Sequence, residues 1–275
     1  MQHFGLPLAR RLERCEAVGC AQFSEARARM FPNSGACSSE IAGTVATFDG
    51  VGSPITQSFG LGMLAMPTPR EMDALESFFH SRGAAVIHEV SSLAPKPLLA
   101  MLTGRGYRPI ELTDVMYLPL PAAIPPPSAA ISVRVAGPGE QDLWASVSAE
   151  GWREFAEFAD FLADLGRVAA VRTGAVAFLA DENGRAIAAG SLITHEGVAQ
   201  MAGASTIPEF RRRGAQRALF AARLGYASRM GCDLATVGTE PGSDSQRNAL
   251  HHGFRIAYTR IKWALDPPAA AGLRN

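Results

Sequence analysis

The run Pro208-Glu-Phe-Arg211-Arg212-Arg213-Gly214-Ala215-Gln216-Arg217-Ala-Leu219 is basic and glycine-hinged, and a Gly turn of that kind ahead of a helix can hold a phosphate. A β-like stretch, Val198 to Thr206, precedes the run. After it, Ala215, Ala218, Leu219, Ala222, Tyr226 and Met230 recur at helical spacing. The segment reads as strand, tight basic loop, helix. The unsatisfied N–H groups of a helix's first turn and the positive end of its dipole favour an anion. A glycine at the junction lets the backbone turn those N–H groups toward it. The chemistry expected is a main-chain cradle for a diphosphate.

The run resembles the acyl-CoA-binding signature of the GNAT superfamily of N-acetyltransferases, Arg/Gln-x-x-Gly-x-Gly/Ala, through Arg211, Gly214 and Gln216. Gln216 departs from that pattern, with a long side chain where the family keeps a small one. Downstream, Asp233 to Val237 reads as a strand, and Gly242 through Gly253-Phe254 resembles the family's next helix and closing Gly-Phe. The resemblance spans Ile131 to Leu265. It implies an acetyl-CoA-dependent N-acetyltransferase that moves the acetyl group to a primary amine of a small molecule by direct attack on the thioester, with no metal.

Carried onto this chain, the resemblance assigns the carrier to Ser205, Thr206, Arg211, Arg212, Arg213, Gly214, Ala215, Gln216, Arg217, Ser243, Ser245 and Asn248. Main-chain N–H groups around Met201 to Ala204, where the family places a bulge, would polarise the thioester carbonyl, and Gly203 fits such a bulge. The family often has a glutamate base on the strand before the loop, and Val198 to Thr206 has none. Glu240, at the end of the next strand, is the first candidate base, with His195 or Glu196 behind it. Ala249 stands where many members carry a tyrosine acid, which leaves His251 or His252 on the same helix. A chain lacking both groups would be a non-catalytic acyl-CoA-binding or scaffolding protein, and that alternative stays open.

The elements that must position these residues fill a chain of 275 residues with 47% apolar composition, long enough for two domains. Lys plus Arg and Asp plus Glu both number 26, so no global field recruits nucleic acid or an anionic membrane, and the arginine triplet alone makes a poor nucleic-acid site. Cys15, Cys20, Cys37 and Cys232 form no Cys-x-x-Cys pair and fit no zinc spacing, which suits idle thiols in a reducing cytosol. No window approaches the ~20 apolar residues of a membrane span, so a cytoplasmic protein is expected.

In the first half a helix face runs through Leu8, Leu12, Cys15 and Val18, followed by strands at Ala42 to Phe48 and Ile55 to Met63. Thr68, Pro69 and Glu71 then open a helix whose buried stripe is Met72, Leu75, Phe78 and Phe79. A strand at Ala84 to Val90, a helix at Lys96 to Thr103 and a strand at Asp114 to Leu118 complete the set. The second half repeats this order: Gly106-Tyr107-Arg108 and Gly253-Phe254-Arg255 are separated by as many residues as Val90 and Val237. The first copy has no phosphate-loop sequence, only Met66-Pro67-Thr68-Pro69, and proline has no N–H to offer.

The expected fold is therefore α/β, two tandem GNAT-like domains, each a mixed, mostly antiparallel sheet flanked by helices. A degenerate domain would occupy 1–120, a proline-rich linker 121–130 and the acetyl-CoA-binding domain 131–275. In the latter, Ile131 to Val135 is the first strand, and Pro138-Gly139-Glu140 opens a helix through Leu143, Trp144 and Val147. Phe155, Phe158, Phe161 and Leu162 alternate with acidic residues, either as an amphipathic helix or as an acceptor wall. Asn183-Gly184 turns a hairpin between Val176 to Leu179 and Ala186 to Thr194.

Overall fold

A computed structural model describes residues 5–122, 130–153 and 159–267. The chain forms two compact units, one of residues 1–115 with 256–275, the other of Met116–Arg255.

The first unit opens with α1 (Leu6–Met30), whose Leu8, Leu12 and Cys15 are buried. A hairpin follows, β1 (Cys37–Ile41) and β2 (Thr44–Phe48), turned by Ala42 and Gly43 with φ of 50° and 76°. The strand expected from Ala42 to Phe48 begins inside that turn and leaves out β1. Cys37-Ser-Ser-Glu-Ile carries too little apolar contrast to mark β1, whose residues are only half-buried or exposed. β3 is confined to Gln57–Phe59, because Gly60 and Gly62 adopt φ of 85° and 75° and end the extended run expected to reach Met63.

α2 (Pro69–His80) starts at a full capping box: Thr68 accepts from Glu71 N–H while the Glu71 side chain accepts from Thr68 N–H. Met72, Leu75 and Phe79 are buried as the stripe requires, against Val86 and Val90 of β4 (Val86–Ser91) and Leu98 and Leu102 of α3 (Lys96–Gly104). β5 (Arg108–Pro119) is longer than expected. Its first five residues are exposed, Ile110 and Leu112 included, and it leaves this unit at Val115. The unit's last strand is β11 (Arg255–Leu265), antiparallel to β4 with Trp263 opposite His88, and strand order here is β1-β2-β3-β4-β11-β5. The compact units thus divide the chain at 115/116 and 255/256, whereas the expected boundaries follow the linker.

The second unit has strand order β5-β10-β9-β8-β7-β6. β6 (Ser132–Val135) leads into α4 (Gln141–Glu150), then α5 (Ala159–Val171). β7 (Ala175–Glu182) and β8 (Arg185–His195) are a hairpin around Asn183 and Gly184, with φ of 52° and 79°, and β9 (Val198–Thr206) continues the antiparallel meander. α6 (Ala215–Arg229), β10 (Leu234–Thr239) and α7 (Asp244–His251) follow. Ala218, Leu219, Phe220 and Leu224 of α6 pack with Phe178, Ile187, Leu192, Val237 and Phe254 in one core, while Trp144 of α4 anchors a smaller cluster with Leu179, Ala189 and Ile207. Prolines 125 to 127 of the linker, Phe155, Phe158 and the side chains of Phe161 and Leu162 lie outside the described residues. No described helix is long and apolar enough to cross a membrane.

Candidate active site

β9 and β10 run parallel but stay paired only from Val198–Leu234 to Gln200–Thr236. Beyond that register β9 continues through Thr206 and β10 through Thr239 without pairing to each other, so the two strands part as an entering ligand requires. The opening starts beside a bulge. β8 and β9 pair Ser191 with Ala202 and then Ala189 with Ser205, so Gly190 faces both Gly203 and Ala204. Gly203 takes φ of 55° and is exposed, which matches the glycine-dependent bulge expected at Met201 to Ala204.

After β9 the chain makes one short turn at Pro208–Phe210 and reaches Arg212, with φ of 63°, and Gly214, with φ of 96°. Two left-handed residues within three positions fold the loop back on itself, and Gly214 caps α6 with no side chain to obstruct its first-turn amides. Arg211 braces the loop: its Nη2 donates to Gly151 O at 3.0 Å and its Nε to Thr206 O at 3.3 Å. Gln216, the departure from the family pattern, donates from Nε2 to Thr206 Oγ1 at 2.8 Å, so its long side chain ties the first turn of α6 to the end of β9.

Loop, strand end and α7 surround a groove of about 880 Å³. Of the residues expected to hold a carrier, Ser205, Thr206, Arg211, Arg212, Gly214, Ala215, Gln216, Arg217 and Asn248 line it. Arg213 does not; it pairs with Glu182 at 3.0 Å and lies over the Phe210 ring. Ser243 instead caps α7, accepting from Gln246 N–H at 3.2 Å, and Ser245 is exposed outside the lining. Among the described residues lining the groove are four arginines (211, 212, 217, 247) and one carboxylate, Asp244, a basic set in a chain that is neutral as a whole.

His251 lines the groove, and Glu240, exposed at the end of β10, does not. His195 and Glu196 sit at the turn between β8 and β9, at the opposite end of β9 from the loop. The His251 Nδ1 lies 2.7 Å from Arg247 O, and since a carbonyl only accepts, Nδ1 carries the hydrogen. Nε2 of the neutral ring is then the site that takes up a proton. His252 stacks on Phe220 with centroids 4.6 Å apart, and burial pushes its pKa down. Ala249 is fully buried and has no proton to give.

Several groove residues were not singled out by the sequence reading. Gly151 and Trp152 close α4 and form the facing wall. A Cβ on Gly151 would lie 2.5 Å from the Ser205 side chain, so only glycine lets the helix end approach β9. Arg247 was also passed over, yet Asp244, Arg247, Asn248 and His251 fall at i, i+3, i+4 and i+7, one face of a helix. That spacing was available in the sequence.

No family model and no curated protein matches this sequence. Solved structures do. A GCN5-related N-acetyltransferase from Kribbella flavida superposes with a TM-score of 0.60 at 17% identity, over 91% of this chain and 96% of that one. A functionally unknown conserved protein from Staphylococcus epidermidis gives 0.58 at 8% identity, over 88% and 98%. A tandem GNAT protein from the clavulanic acid biosynthesis pathway gives 0.50 at 15% identity, over 68% of this chain and 65% of its own. The chain therefore has the GNAT fold, and one of its structural relatives carries that fold in tandem.

Proposed function

We propose that this protein is an acetyl-CoA-dependent N-acetyltransferase acting on a primary amine of a small molecule. The observation that carries this reading is the coincidence, on a GNAT fold, of the parted strands β9 and β10, the bulge at Gly203 and the glycine-capped basic loop at the mouth of one groove. The main-chain amides of Arg212 to Arg217 would hold the diphosphate of the carrier and the groove arginines its remaining charge, while the bulge amides polarise the thioester carbonyl. The acceptor amine attacks that carbonyl, a C–N bond forms, and the C–S bond breaks. Nε2 of His251 takes the ammonium proton and returns it to the departing thiolate. Among the described residues lining the groove, His251 is the one imidazole, a side chain that can both accept and donate a proton. Glu240, the first candidate from sequence, is off the groove and has no part in this scheme.

The first unit, with prolines at 67 and 69 where a phosphate loop would stand, is read as a copy that binds no carrier. A second reading, a binder without turnover, is favoured by Ala249 and by the lack of a carboxylate on β9. One experiment separates the two. Acetyl-CoA is expected to raise the unfolding temperature, and thiol release should appear with at least one member of a panel of small primary amines. Binding without release across the panel supports the second reading; no thermal shift at saturating acetyl-CoA refutes both.

A further inference from the structure

Arg223 lies on the face of α6 that packs on the sheet and is 1% exposed. A buried guanidinium is ordinarily paired with a carboxylate. Here the hydrogen-bond partners are all main-chain carbonyls: Nε donates to Leu219 O at 3.1 Å, and Nη1 to Ser191 O at 3.2 Å and, more distantly, to Ala202 O at 3.5 Å. Nη2 is buried without a partner. The ring of Phe220 lies 5.1 Å from the guanidinium carbon. Burial draws the group's pKa down to about 10, so it is still charged at neutral pH. Such an arrangement gains little for stability. Its location is the informative part.

Ser191 and Ala202 are the last pair of the β8–β9 ladder before the bulge. Ala202 O receives a second side-chain donor, Ser191 Oγ at 3.1 Å. The carbonyl of Ala202 and the N–H of Gly203 belong to one trans peptide, so the two dipole ends point in opposite directions. Fixing the oxygen end orients the hydrogen end, and hydrogen bonds to the oxygen polarise the amide and make its N–H a stronger donor. Gly190 completes the fit. A Cβ there would lie 3.3 Å from the Arg223 guanidinium carbon, so the strand is bare where the side chain passes.

We infer that Arg223 is a positioning residue for the bulge, holding the carbonyl side of the Ala202–Gly203 peptide so that its N–H side is aimed and charged for the thioester oxygen. This rests on the acetyl-CoA reading above. The test uses acetyl-CoA labelled with ¹³C at the thioester carbonyl and isotope-edited infrared spectra of the bound carrier, with affinity and unfolding temperature measured alongside.

In the wild type the labelled carbonyl band is expected to move to lower wavenumber on binding. In R223M most of that shift is lost, carrier affinity changes by less than about threefold because the diphosphate loop is untouched, and the unfolding temperature holds or rises, since an apolar side chain replaces an unpaired buried charge. R223K, which keeps a cation in the same place, is expected to retain the larger part of the shift, and it decides the matter should R223M fail to fold. A wild-type band shift in folded R223M that binds the carrier overturns the inference, as does loss of the shift in folded R223K. If the wild type binds acetyl-CoA with no band shift, the inference falls and the carrier site stands. If the wild type does not bind it, both fall.

Discussion

Replacing Gly214 with alanine isolates what the loop's backbone does for the carrier. At φ of 96° and ψ of 5° the residue occupies a conformation that L side chains rarely adopt, yet an added Cβ would meet nothing within 4 Å. The methyl group therefore blocks nothing, and its effect acts through the backbone alone. Holding alanine at this φ costs about 1–3 kcal/mol. Much of that strain is relieved if the loop rotates out of the left-handed region, which swings the first-turn amides of α6 away from the groove. A hydrogen bond to a charged group contributes roughly 1.5–3 kcal/mol. Losing one amide-to-phosphate bond should weaken CoA binding about tenfold, and losing two about a hundredfold.

The matched control is Gly184→Ala at the β7–β8 turn. Gly184 has φ of 79° and equally open surroundings but is absent from the groove lining. Both variants should unfold at lower temperature than wild type, and only Gly214→Ala should lose CoA affinity by titration calorimetry. A Gly214→Ala protein that binds CoA within twofold of wild type, while destabilised like Gly184→Ala, would refute the argument.

Other perturbations give separate checks. H251Q should keep CoA affinity while thiol release in the presence of a reactive amine falls by about 10²–10⁴, and E240Q should release thiol at the wild-type rate. Gly151→Ala forces a methyl group against Ser205 and within 3.1 Å of the Thr206 nitrogen, an overpacking expected to cost about 1–3 kcal/mol in urea unfolding. CoA binding should weaken as salt is raised to about 1 M, where charges are screened beyond about 3 Å, because four arginines face the groove.

Stability should also fall in acid through His88. Its ring is buried between Ser58 and Tyr107, and desolvation lowers its pKa to about 3. Below the ordinary histidine value of 6.5 the unfolded chain binds a proton that the folded chain refuses, so stability drops by up to about 1.4 kcal/mol per pH unit down to about pH 3. Urea midpoints against pH should be less steep in H88Q.

The basic loop before α6 was legible because its requirements are local. Gly214, the basic residues and the helical apolar series all fall within one short run, and strand, loop and helix appeared where they predicted. The Asn183-Gly184 turn and the Thr68–Glu71 box were equally plain, since backbone conformation and capping are set by neighbours in the chain. What escaped was set at a distance. β1 lacks apolar alternation, and Arg108 to Thr113 of β5 gives no burial pattern because most of that segment is exposed. The place of β11 in the first unit depends on its register with β4, which no local signal encodes. Gly151 and Arg223 look ordinary until the backbone each one meets, Thr206 in the first case and Ser191 and Ala202 in the second, is in place.

The proposed activity depends most on where the carrier's diphosphate lies. Titrating ¹⁵N-labelled protein with CoA and following amide shifts tests this directly. The largest shifts at saturation are expected at the amides of Arg212 to Arg217. Saturation with those amides unmoved and the main shifts elsewhere in the chain would contradict the account.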